Sequence, residues 1–66
     1  MNDLFKTFAI QFKDRGEFHK ALKFNTFADD VGHSDMILNY SNKFYRDRFV
    51  GFLATIGFES TIIIID

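Results

Sequence analysis

From Leu4 to Phe12 the large apolar side chains Leu4, Phe8, Ile10 and Phe12 occupy even positions, while Thr7, Ala9 and Gln11 occupy odd ones. That two-residue period predicts a half-buried strand. Asp14-Arg15-Gly16 follows, with Gly16 where a three-residue hairpin loop needs a positive φ. A second strand is expected from Glu17 to Phe27. Pairing Lys13 with Glu17 sets Phe12 against Phe18 and Phe8 against Leu22, so the bulky residues share one side. Ala9 then faces Ala21, and Gln11 faces His19, on a flatter opposite side. Lys6 and Lys20 fall on the bulky side and must snorkel to an edge.

Asp29 and Asp30 supply an N-cap and favourable charge for a helix starting near Val31, or at Asp35 if Ser34 caps it instead. Up to Ile56, the residues Ile37, Ser41, Phe44, Tyr45, Phe49, Phe52, Leu53 and Ile56 share one broad side of that helix. Asn39, Asn42, Lys43 and Arg46 are placed opposite. Gly57 suits a left-handed C-terminal stop, with Phe58 folding back over it. Glu59 to Asp66 reads as a last strand containing the consecutive isoleucines Ile62 to Ile65. Successive strand side chains point to opposite faces, so both faces of this strand favour burial. The expected fold is α+β with element order β-β-α-β: a three-stranded antiparallel sheet, order 2-1-3, with one long amphipathic helix on one face. Phe8, Phe12, Leu22, Phe44, Phe52 and Leu53 form its expected core, and the isoleucine strand lies at an edge.

Composition sharpens this picture. Residues 1–66 read as a single small α+β domain, near the size at which one hydrophobic core needs help from disulfides, metals or self-association. With no cysteine, that help must come from aromatic packing or from a second copy. Ten phenylalanines and no proline argue against disorder. The longest apolar run is far below the ~20 residues that span a bilayer, and Met1-Asn2-Asp3 lacks a signal-peptide start. The expectation is a soluble, cytoplasmic protein. A formal net charge of −1 gives no general attraction to nucleic acid or anionic membrane.

Chemistry-bearing residues are few. Asp29, Asp30, His33 and Asp35 are close in sequence, but their spacing matches no zinc pattern and helix capping accounts for the acids. No metal and no cofactor is expected. His19 and His33 are the only histidines, His19 has no carboxylate at a spacing that would orient it, and Ser34 and Ser60 have no glycine elbow, so the chain does not read as an enzyme. Asn42 to Arg48 interleaves bases and rings. On a helix the bases point to water and the rings to the core, which is not a stacking platform. A small dimeric nucleic-acid-associated regulator presenting Lys43, Arg46 and Lys23 is the alternative reading. Arg48 lies near the apolar side and should pair with Asp14 or Glu17, or act as an interface anchor. The favoured partner-binding surface comprises Ile63, Ile65, Phe5, Phe27, Ala9, Ala21 and His19, with Arg48. Self-association through Ile62–Ile65, edge to edge or face to face, is expected to give a homodimer.

The phenylalanine-rich hairpin, Phe27-Ala28-Asp29-Asp30-Val31 opening one long helix, and the short terminal strand resemble in outline the small anti-defence inhibitors of bacteriophages. The resemblance implies a single-domain, non-enzymatic protein that blocks a larger host protein, such as a toxin or defence factor, by occupying its surface. It implies no particular functional residue.

Overall fold

The computed structural model describes residues 8–66. Strand β1 (Phe8–Phe12) leads into helix α1 (Arg15–Ala21), then strands β2 (Asp30–Gly32) and β3 (Ile37–Tyr40), helix α2 (Lys43–Thr55), a 3-10 turn over Glu59–Thr61, and strand β4 (Ile62–Ile65). The sheet has four strands in the order β2-β3-β1-β4, every neighbouring pair antiparallel. Each helix connects two strands separated by one strand of the other unit, giving two interleaved split β-α-β units.

The α+β class, the antiparallel sheet, the interior first strand and the edge position of the isoleucine strand agree with expectation. The β-β-α-β order, three strands in order 2-1-3 and the single long helix do not. The segment expected to be the second strand instead begins with α1, where Asp14 accepts a hydrogen bond from the Glu17 N–H at 3.0 Å as an N-cap. Phe18, Ala21 and Leu22 then share a helical face, and Phe18 and Ala21 are fully buried. A helix also removes the conflict at Lys20, which a strand would have turned inward. Gly16 lies inside α1, so no hairpin glycine is needed there.

The second correction concerns residues 30–40, expected to lie in the long helix or the loop before it. They form the hairpin β2–β3, with Val31 opposite Leu38 and Gly32 opposite Ile37. Helix α2 starts only at Lys43, where Asn42 rather than Asp29, Asp30 or Ser34 is the N-cap, accepting from the Phe44 N–H at 2.8 Å. Its end is as expected. Gly57 has φ 87°, its N–H donates to Ala54 O, and the Phe58 N–H donates to Leu53 O, the paired bonds of a Schellman motif.

Strand register sorts the side chains by parity. Phe8, Ile10 and Phe12 of β1 lie beside Tyr40 and Leu38 of β3 and Ile64 and Ile62 of β4, on the face that carries both helices. The core joins Ile10, Phe12, Leu38 and Tyr40 to Phe18 and Ala21 of α1 and Phe49 and Leu53 of α2. Of the expected core, Phe12 and Leu53 are buried, while Phe8, Leu22 and Phe52 pack at its margin. Phe44 is 61% exposed, because a helix starting at Lys43 turns that ring away from the sheet.

Candidate protein-binding surfaces

Two apolar surfaces stand clear of the core. The first is the sheet face that, among the described residues, carries no helix, where Ala9, Gln11, Ile37, Asn39, Ile63 and Ile65 lie side by side. Ile63 and Ile65 are 44% and 36% exposed. Ala9 is on this face as expected, between Asn39 and Ile65, but is only 5% exposed. Ala21 does not belong here: it is on α1 and in the core. His19, also on α1, is exposed away from the sheet, its ring 5.8 Å from that of Phe18. Phe5 lies outside the described residues, as does the Leu4–Thr7 part of the expected first strand.

The second surface is a groove of about 270 Å³ between the loop after α1 and the exposed flank of α2. Phe24, Asn25, Phe27, Arg48, Phe49 and Phe52 line it. Phe24 meets Phe52 edge to face at 4.9 Å, and Phe49 stacks on Phe52 at 5.7 Å. Phe27 stacks on Tyr45 at 5.8 Å, and Tyr45 meets the exposed Phe44 at 5.4 Å, so an aromatic ridge borders the groove.

Phe27 is held there at a cost. Its φ of 58° is left-handed, an outlier for a bulky side chain, yet the residue remains 55% exposed. The loop is pinned around it. Phe27 N–H donates to Asn25 Oδ1, Ala28 N–H to Thr26 Oγ1, and the buried Tyr40 hydroxyl to Thr26 O at 2.7 Å. Burial, assisted by the nearby Asp29 charge, pushes the Tyr40 phenol above its ordinary pKa, so it remains a donor. Asp29 is tied down by hydrogen bonds from the Ser41 N–H at 2.7 Å and hydroxyl at 2.9 Å, which hold its carboxyl below the usual range.

Arg48 lines this groove and forms no ion pair with Asp14 or Glu17. Asp14 is occupied as the α1 cap. The buried arginine is instead Arg46, expected on the polar side of the helix. Its guanidinium donates to Ile65 O at 2.7 Å, Ala9 O at 3.4 Å, Asp66 Oδ1 at 2.6 Å and Asp47 Oδ1 at 2.7 Å, and sits 5.6 Å from the Phe8 ring centroid. Burial opposes its charge, but the two carboxylates outweigh that and raise its pKa. Arg46 is therefore removed from the basic face that the nucleic-acid alternative required. The spacing Arg46, Phe49, Leu53 places it on the buried stripe, a signal masked by its charge.

The Asp29, Asp30, His33 and Asp35 group is dispersed. Asp29 binds Ser41, Asp30 enters β2, and His33 and Asp35 sit in the β2–β3 turn, where Arg15 donates to the His33 and Ser34 carbonyls. Among the described residues no three metal-binding side chains converge, and no helix is long and apolar enough to cross a membrane. The sequence did not single out Phe24 and placed Tyr45 and Ile37 only on the apolar side of the expected helix; all three became neighbours of the predicted residues through the hairpin β2–β3 and the loop turn at Phe27. Compared with protein families, curated proteins and solved structures, the chain matches none of them.

Proposed function

We propose that this protein is a non-enzymatic protein-binding module that works in the cytoplasm as a homodimer and occupies the surface of a larger host protein. The observation that carries this reading is Phe27. A left-handed aromatic residue costs about 1–2 kcal/mol, and strain of that kind persists where surrounding structure holds a side chain for use. Here the pinned loop presents the ring to solvent beside an apolar groove with one guanidinium. Aromatic residues and arginine are the commonest anchors of protein interfaces. The fitting partner segment sets a leucine or aromatic side chain among Phe24, Phe27 and Phe52 and a carboxylate on Arg48.

Steric blockade of this kind is the action of the phage inhibitor class. Asp29-Asp30-Val31 leads into a strand rather than a helix, so that narrower assignment, a viral anti-defence or antitoxin-like inhibitor, rests on size and surface character rather than layout. The test is affinity capture from host lysate with the unmodified protein and with Phe27→Ser and Arg48→Glu variants, followed by reconstitution with the purified partner. The expected result is one identified protein whose binding falls at least tenfold, about 1.4 kcal/mol, in each variant while the variants stay folded. Equal binding by all three proteins overturns the groove as the site.

A further inference from the structure

We infer that the homodimer forms by edge-to-edge pairing of β4 in one register, centred on Ile63, so that a continuous sheet runs through both copies. The inference rests on the dimer proposed above and fixes its geometry. Strand β4 is the last strand of the sheet, and among the described residues only β1 pairs with it. Alternate residues of an antiparallel strand direct their main-chain groups to opposite neighbours. The Phe12 N–H donates to Met36 O, on the β3 side, and the Lys13 N–H to Thr61 O, on the β4 side. Odd residues of β1 therefore bond to β4. Gln11 lies opposite Ile63 and Ala9 opposite Ile65, so Ile63 and Ile65 use their main-chain groups inward. The N–H and C=O groups of Ile62 and Ile64 are left facing the open edge.

A two-fold axis normal to the sheet pairs two copies of β4 antiparallel, and the outward groups must meet outward groups. Placing Ile62 opposite Ile64 of the second copy satisfies all of them within the isoleucine run. Ile63 then faces Ile63 of the second copy on the helix-free side. A register centred on Ile64 would need Asp66 to complete its bonds and would set that carboxylate against Ile62. Edge pairing also covers Ile64, which is 51% exposed on the helix-bearing side and which face-to-face packing of the open sheet faces would leave uncovered. An apolar edge with no charge, proline or bulge is one that proteins otherwise protect.

The absence of cysteine makes a disulfide test clean. In this register the Ile63 pair is a non-hydrogen-bonded pair with Cα atoms about 4.5 Å apart, within the span a disulfide bridges. Ile63→Cys should therefore form linked dimers under mild oxidation at least tenfold faster than Ile64→Cys alone. A mixture of Ile62→Cys and Ile64→Cys chains should form the mixed disulfide in preference to either symmetric one. That mixed product also distinguishes edge pairing from face-to-face packing, since both residues are on the helix-bearing side. Faster linkage of Ile64→Cys, or no mixed product, overturns the register. A monomeric mass for the unmodified chain in sedimentation overturns the dimer itself.

Discussion

Arg46 shows how one residue can join distant parts of the chain. It is on α2, yet its guanidinium reaches the carbonyls of Ala9 on β1 and Ile65 on β4 and the carboxylates of Asp47 and Asp66. The planar fork allows several directed bonds at once, which an ammonium on a flexible stem does not reproduce. Arg46→Lys should therefore cost about 1–3 kcal/mol, the range for losing buried and charge-assisted hydrogen bonds. The loss should be concentrated in β4. Urea unfolding gives the total, and amide exchange at Ile63 and Ile65 should accelerate more than exchange in β3. An unchanged midpoint would mean that the guanidinium adds nothing beyond its packing. The helical spacing of Arg46 with Phe49 and Leu53 is present in the sequence, but the charge of Arg46 assigned it to the polar side. Its four polar partners are not legible there, since they are supplied by Ala9, by the adjacent Ile65 and Asp66, and by its own neighbour Asp47.

At the scale of elements, α2 has one glycine inside it and one just past its end, with opposite roles. Gly57 follows the helix at φ 87°, where a side chain would be strained, and it terminates the helix by releasing the Phe58 N–H to Leu53. Gly51 is inside the helix, is exposed, and a Cβ added there would meet nothing within 4 Å. Gly51→Ala should stabilise the protein by roughly 0.4–1 kcal/mol by restricting the unfolded chain and favouring the helix. Gly57→Ala should destabilise it by about 1 kcal/mol or more. Paired thermal melts check both signs, and a shift in the same direction for the two variants would contradict this account of the helix. The end of α2 was legible because a left-handed stop needs one glycine and local bonds. Its start was not, because Asp29, Asp30, Ser34 and Asn42 are all competent caps, and the hairpin β2–β3 decides which one is used.

The whole molecule is small for a single core, and the proposed dimerisation through β4 would link its stability to concentration. For a domain of this size a tenfold rise, from about 10 to about 100 μM, should raise Tm by roughly 3–6 °C. A constant Tm across that range would contradict assembly. Read without the fold, the sequence determined what depends on near neighbours: the alternation in β1, the isoleucine strand with two apolar faces, and the stop at Gly57. At residues 17–22 and 37–40 it pointed to the wrong element, a strand where α1 forms and a helix where β3 forms. Phe18 and Leu22 fit a strand period and, with Ala21, a helix period, while Ile37–Tyr40 fitted the expected long helix as well as the strand it becomes. Only the tertiary structure decided between them. One edge of β1 takes β4 and the other requires a strand, which β3 provides, and the helix-bearing face needs the cover that α1 gives. Burial and main-chain hydrogen bonding are satisfied between distant segments, so a local period that admits two answers is resolved by the partner it meets.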